Sequence, residues 1–326
     1  MEFFNPNSNV NFMGIRRYTV AISVILMIAS IVSLATRGLN FGLDFTGGSL
    51  VEVTFAQPTE QHDVSAALEK AGFKGAVVQR FDTRNYSIRL GPNEGADAGK
   101  VHGAVTESSI DARSAAITHH VEQALVASGH PAQVKPSVYV GPQVGKELAT
   151  NGIVAVFMVL AGIMIYIAIR FEWRFAAATV LTEFHDVILT VGFFSMTGIE
   201  FDLTVLAAIL AVDGYSVNDT IVVFDRVREL FRSSRKEAPL EILNRAVNNT
   251  LSRTIMTSLA TMVSVVALFF FGGSTLHGFS VALMVGIVVG TLSSIFFACP
   301  MLNIFGVSKQ DLMPKARDDA ELARRP

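Results

Sequence analysis

Six stretches of the chain are apolar and free of lysine and arginine, at roughly 18–36, 152–169, 175–196, 203–224, 254–271 and 278–299. Each is close to the ~20 residues that a helix rising ~1.5 Å per residue needs to cross a bilayer. They predict a polytopic α-helical membrane protein with six transmembrane helices. Between the first two runs the pattern changes to that of a water-soluble domain. Residues 49–56 (SLVEVTFA) alternate as a strand does. Residues 61–72 carry Val64, Ala67, Leu68 and Ala71 at helical spacing and close on Gly72. Residues 76–81 and 86–90 read as strands, 112–128 as an amphipathic helix ending at Gly129, and 133–140 as a last strand. The order β-α-β-β-α-β predicts a small α+β ferredoxin-like domain. Gly91 to Gly103 is rich in glycine and alanine and reads as a mobile loop. No internal repeat is visible.

Composition strengthens the membrane reading. Of 326 residues, 51% are hydrophobic and 17% charged, against roughly 25% charged in a soluble domain. Too few charges remain to cover a globular surface. A net charge of -2 gives no argument for nucleic acid. The one cysteine, Cys299, has no partner for an internal disulfide and reads as a packing or lipid-facing residue. The first run follows Arg16-Arg17 and resembles a signal peptide in outline. It is long enough to span, however, and Thr36-Arg37-Gly38-Leu39 offers no small-x-small cleavage site, so it reads as a retained anchor.

The connections set the orientation. Arg16-Arg17 precede the first helix, and Arg170 and Arg174 flank the turn after the second. The link after the fourth holds Arg226, Arg228, Arg232, Arg235, Lys236 and Arg245, and the tail Lys309, Lys315, Arg317, Arg324 and Arg325. The alternate connections, Gly198 to Asp202 and Gly272 to Gly278, hold no lysine or arginine. The positive-inside rule therefore puts both termini in the cytoplasm. The expected division is 1–17 cytoplasmic, 18–36 the first helix, 37–148 a periplasmic domain, 149–300 the remaining five helices and 301–326 a cytoplasmic tail.

Ionisable groups in the hydrocarbon core are costly and point to function. Glu183, His185 and Asp186 fall on the third helix, Asp213 and Asp219 on the fourth beside Asn218, and Arg253 opens the fifth. Asp186 and Asp213 lie roughly 16 Å in from the cytoplasmic side, near the midplane, and Asp219 about 8 Å in. If helices four and five are neighbours, Asp219 and Arg253 meet at similar depth. A buried carboxylate beside an arginine stays ionised, and one without a partner tends to hold a proton. A group that switches between these states as helices move can carry a proton across. Structural readings stand beside this one. Asp219 could cap a helix unwound at Gly214-Tyr215-Ser216, Asp225-Arg226 reads as an interfacial pair, and His185 is either a hydrogen-bonding group or a relay. His185-Asp186 as a phosphohydrolase metal motif is rejected, since no second ligand cluster exists. Asp44, in 42–48 (GLDFTGG), lies just outside the membrane. The Gly-Lys-Ser/Thr of a phosphate loop is missing, so Gly47 and Gly48 read as a tight turn.

These motifs, in this order, resemble the SecF proteins of the SecD/SecF family, in the RND superfamily. GLDFTGG follows the first helix, and Gly141-Pro142-Gln143-Val144-Gly145 leads into the second. Phe171-Glu172-Trp173-Arg174 fills the turn after it, and His185-Asp186-Val187 lies on the third. Residues 214–229 (GYSVNDTIVVFDRVRE) span the fourth helix and its exit, and 251–258 (LSRTIMTS) open the fifth. The likeness covers nearly the whole chain, from Arg16 to about Gly306, and the fourth-helix motif is far more specific than a glycine-rich match.

The resemblance implies pairing with SecD in a larger pseudo-symmetric helical unit of the bacterial inner membrane. That unit associates with the SecYEG channel and draws preproteins outward, using the proton-motive force late in export. It also implies that Asp219 is the proton-path aspartate and Arg253 its fifth-helix arginine, and that the periplasmic domain touches the emerging chain or neighbouring subunits. No cofactor or metal is implied. Asp213 departs from the family pattern, where an aliphatic residue precedes Gly-Tyr-Ser, and Glu183 is also unexpected. Asp213 is open to three readings: a second proton site answered by Glu183 through a shared hydrogen bond, a lineage variation, or an engineered change. Asp213 and Asp219 are six residues apart, about 120° around the helix, too far to share one proton. The competing readings are a small-molecule efflux transporter, against which the single external domain of only about 100 residues speaks by family analogy, and a non-transporting scaffold. Hydrolytic activity is not expected, since no nucleophile–base pair or metal cluster is present.

Overall fold

The structure is a computed structural model that describes residues 10–91, 107–234 and 237–307. Most of the expected loop at 91–103, the first nine residues, Arg235, Lys236 and the tail from 308 lie outside the described residues. Six helices are long and apolar enough to cross a membrane, as the apolar runs predict: Arg16–Arg37 (α1), Pro142–Arg170 (α5), Trp173–Thr197 (α6), Leu203–Ser233 (α7), Pro239–Phe271 (α8) and Thr275–Ile304. This is a multi-pass membrane protein. The last span comprises α9 (Gly273–Ser293), a π-helical segment (Ser294–Ala298) and α10 (Cys299–Ile304).

Several helices outrun their apolar stretches. α5 starts at Pro142 and α8 at Pro239, where Glu241 reaches back to the Ala238 amide at 3.3 Å. Polar residues carry a helix beyond the bilayer at no desolvation cost, so hydropathy alone misses these extensions. α7 runs unbroken through Gly214, which rules out an unwound helix there. It also takes Arg226, Arg228 and Arg232 into its last turns. At the other end of α8, Gly272 and Gly273, the latter at φ 72°, turn the chain directly into α9. The expected longer connection at 272–278 is therefore helical from Gly273 onward.

The described residues form two compact units. One takes in those of Met1–Asn40, Val156–Ile199 and Thr204–Pro326, the other those of Phe41–Ala155 and Glu200–Leu203. The second unit contains the short helix α2 (Leu43–Thr46), β1 (Gly48–Phe55), α3 (Gln61–Lys70), β2 (Val77–Arg80), β3 (Asn85–Leu90), α4 (Glu107–Ala127), β4 (Ala132–Val134) and β5 (Val138–Val140). The sheet order is β2-β3-β1-β4, all antiparallel, with β5 beside β1 at its other end. This is the ferredoxin-like arrangement with its last strand in two pieces. Pro136, which has no N–H to give a ladder, sits in the break, and the Lys135 amide beside it donates to the Glu52 carbonyl at 2.9 Å. Val51, Val53 and Phe55 of β1 alternate onto one face with Tyr86, Ile88 and Leu90 of β3. They bury against Val64 and Leu68 of α3 and Ile117, Val121 and Leu125 of α4.

In the first unit, small residues let helices approach closely. A Cβ on Gly192 of α6 would stand 2.9 Å from the Ser30 Cα of α1, and Ser33 and Ser195 share a hydrogen bond of 2.9 Å one turn further along. On α9, Gly286 lies against Val212 of α7 and Gly290 against Ser216, a Gly-x-x-x-Gly contact of the kind that joins membrane helices.

Candidate functional site

α6 carries Glu183, His185 and Asp186 into the bundle, where they are 1%, 3% and 2% exposed. Asp186 is fully served by donors. Ser216 of α7 and Ser293 of α9 each donate to Oδ2 at 2.7 Å, and His185 Nδ1 lies 2.8 Å from Oδ1. The π-helical segment helps build this node. It follows Ser293 directly and sets Phe297 against the His185 ring, with centroids 4.4 Å apart and planes at 16°. Its extra residue per turn leaves carbonyls without helical partners, and Thr19 of α1 donates to one of them, that of Phe296, at 3.1 Å. His185 Nε2 is buried without a partner.

Glu183 and Asp213 meet across α6 and α7. Each is buried, the two carboxyls lie within reach of a hydrogen bond to each other, and as carboxylates none of their four oxygens has a donor. Asp219 lies elsewhere on α7, as the angular separation predicts. It is 2% exposed, and its Oδ2 also lacks a donor.

The expected meeting of Asp219 with Arg253 takes a looser form. Arg253 is exposed on α8, and its charge acts on Asp219, but no ion pair among the described residues joins them. Their levels do match. Tyr215 of α7 donates to Ser258 of α8 at 3.3 Å, and one turn further along both antiparallel helices leads to Asp219 and Thr254. Thr254 is buried with its hydroxyl unpartnered. Ser258 and Thr291 of α9 lie 2.7 Å apart, so hydroxyls link α7, α8 and α9. Gly214 and Asn218 are exposed on α7, on the same face as Ala207 and Ala211. Asp225 and Arg226 do not pair with each other. Asp225 approaches Arg170 at 3.6 Å and Arg226 approaches Glu229 at 2.6 Å, because neighbours on a helix point about 100° apart.

The glycine motif of the second unit is structural. Leu43–Thr46 form one helical turn that ends at Gly47, φ 69°. A Cβ on Gly48, φ 129°, would lie 2.2 Å from the Leu90 carbonyl. Asp44 Oδ2 accepts the amide of Leu203, the first residue of α7, at 3.1 Å, as a helix cap does. Gly42 donates to the Phe201 carbonyl at 2.8 Å, and the rings of Phe41, Phe45 and Phe201 pack together. Arg89 donates to the Phe41 carbonyl and to Glu200 at 3.3 Å. Burial pushes the Glu200 carboxyl above its ordinary range; Arg89 pulls it back and Asp202 pushes it further up.

The family model for the SecD/SecF C-terminal region of protein export membrane proteins matches residues 120–308, and that for the SecD/SecF GG motif matches 32–59. The chain belongs to the SecD/SecF family. Protein translocase subunit SecF of Pseudomonas aeruginosa is 44% identical over 95% of this chain and 96% of its own length. The SecF of Vibrio alginolyticus is 40% identical over 96% and 95%. Among solved structures of the family, SecDF of Thermus thermophilus, titled a translocon-associated membrane protein, is 35% identical. It matches with a TM-score of 0.80 over 93% of this chain, which spans 39% of that longer chain. SecDF in a super-membrane-facing form matches with a TM-score of 0.66 over 97% of this chain.

Ser293, Phe297 and Thr291 were not singled out from the sequence, and Ser216 and Ser258 entered only as members of the fourth- and fifth-helix motifs. Serines and threonines are ordinary in membrane helices, and Asp186 finds its donors 30 and 107 residues away. The nearest signal was the Gly286/Gly290 spacing on α9, which marks a helix–helix contact.

Proposed function

We propose that this chain is an accessory subunit of the Sec protein-export translocase and works with a SecD partner to couple proton flow to late preprotein translocation. Family membership over almost the full length supports the export role. The names of the relatives and the matching SecDF chain support a SecD partner, and through it the SecYEG channel and the exported preprotein. An exposed small-residue face on α7, with Asn218 in it, suits a partner helix in the membrane. The termini then face the cytoplasm, and the sheet domain of 37–148 faces the periplasm of the bacterial inner membrane.

The observation that carries the coupling is Asp219. It is a buried carboxyl within a span, one oxygen lacks a donor, and the nearby cation sits on another helix. A carboxylate near a cation is stabilised as the anion, and one from which the cation withdraws takes up a proton. Relative motion of α7 and α8 changes that distance, so Asp219 loads and releases a proton as the helices move. Asp186, His185 and the bundle hydroxyls offer further donors and acceptors along the interior. The test is preprotein export in vesicles with and without a proton gradient, comparing wild type with Asp219→Asn, both co-expressed with SecD. Loss of only the gradient-dependent part supports the reading. Unchanged export makes the chain a scaffold of the channel.

A further inference from the structure

Glu183 and Asp213 stand outside the route through Asp219. The bundle gives three donors to Asp186 and none to the four oxygens of this neighbouring pair, although all three residues are equally buried. Packing excludes water as well, since Glu183 is 1% and Asp213 2% exposed. Two ionised carboxylates in this position would repel each other and have no solvation, and a buried charge left unpaired costs several kcal/mol. One proton ends the repulsion and gives the remaining carboxylate a hydrogen-bond donor. It makes one carboxyl an O–H donor and the other its acceptor, a short charge-assisted hydrogen bond.

We propose that Glu183 and Asp213 form a second proton-binding site of the bundle, a carboxylic acid and a carboxylate sharing one proton between α6 and α7. The proton comes from water and sits between Glu183 Oε and Asp213 Oδ, leaving the pair with a single negative charge. A second proton would neutralise it and leave an ordinary hydrogen bond between two neutral carboxyls. Of the other charged and titratable groups, Asp186 of α6, beside His185, acts on both carboxyls; Asp219 lies elsewhere on α7, Arg253 is exposed on α8, and α9 brings only His277, near its far end. The pair explains why two acids occur together, one on each helix, where either alone would be a buried charge. Its existence does not depend on the proton-coupled reading above, but its use in transport rests on it.

The test is infrared spectroscopy of the full chain in liposomes at pH 7, in water and in deuterium oxide, reading the C=O stretch of protonated carboxyl groups. The expected result is a deuterium-sensitive band that is lost in Glu183→Gln, in Asp213→Asn and in the double variant alike, and kept in Asp219→Asn. In each single variant the new amide donates to the remaining carboxylate, so no proton is needed. Labelling of the wild type with dicyclohexylcarbodiimide, which attacks protonated carboxyls in apolar surroundings, should mark Glu183 or Asp213 and does not depend on any variant folding. Absence of both the band and the adduct overturns the proposal, and so does a band unchanged in the variants. A wild-type band that vanishes when sodium replaces choline makes the pair a cation site, which also overturns it. Asp219→Asn losing gradient-dependent export while the band is absent would leave the function standing and sink this site; the converse would do the reverse.

Discussion

The two units both bury an apolar core but differ in the polar groups they bury and in what they expose. In the sheet unit the core between the sheet and α3 and α4 is hydrocarbon, and its buried polar groups are serines, threonines and a tyrosine whose hydroxyl reaches the Thr59 carbonyl. In the helical unit Phe157, Phe270 and Phe271 are exposed, while Glu183, Asp186, Asp213, Asp219 and His185 are buried. The solvent explains the difference. Water drives apolar groups inward in the sheet unit. Lipid gives the helices no such drive, so their interior is free to hold polar groups, and ionisable ones persist where they are used. Replacing a buried apolar side chain of the sheet unit should therefore cost stability, and replacing a buried acid of the helical unit should cost function.

The largest stability effect should come from the sheet core. Leu68→Ala, at a fully buried position, should cost about 3 kcal/mol by lost transfer energy and the cavity left behind. The slowest-exchanging amides of β1 and β3 should then exchange faster, and unchanged protection would break the contrast. Next comes helix packing. Gly192→Val should cost about 2 kcal/mol by overpacking, since the new side chain meets the backbone of α1. Thermal unfolding in detergent reads it, and an unchanged midpoint would mean that α1 moves freely.

Smaller effects sharpen the picture outside the spans. Arg89→Met should cost about 1–2 kcal/mol at neutral pH, because it leaves the Glu200 charge half-buried without its partner. Glu200 also sets a pH dependence. Its folded carboxyl holds a proton more tightly than an unfolded one, so its contribution favours the fold in acid. That contribution is lost as pH rises from the ordinary glutamate range through the raised value. Glu200→Gln should flatten that limb of the stability–pH curve; the same slope in the variant would assign it to another group. Least of all, Lys135→Ala should cost no more than about 0.5 kcal/mol, since the lysine of the 2.7 Å Lys135–Glu52 bridge is largely exposed.

How much was legible in the sequence follows the same division. Six spans could be read because lipid imposes one length on every apolar run. The strand and helix order of the sheet unit could be read because β1 and β3 alternate cleanly. Pro136 was in plain view, but a three-residue strand beside it leaves too short a pattern to see the break. The intramembrane acids stood out by their rarity, and the angle between Asp213 and Asp219 separated them correctly. What failed were pairings that depend on tertiary approach. Asp225 and Arg226 were adjacent in sequence and point to different partners. Asp219 and Arg253 were matched in depth, but one is buried and the other exposed. The serines that hold Asp186 carry no sequence mark.

The most direct test measures two quantities in the same vesicles for Asp219→Asn: the amount of chain assembled with SecD, and the proton-gradient-dependent part of preprotein export. The account predicts wild-type assembly with the gradient-dependent part gone. Assembly and export falling together would contradict it, because Asp219 would then be holding the bundle together.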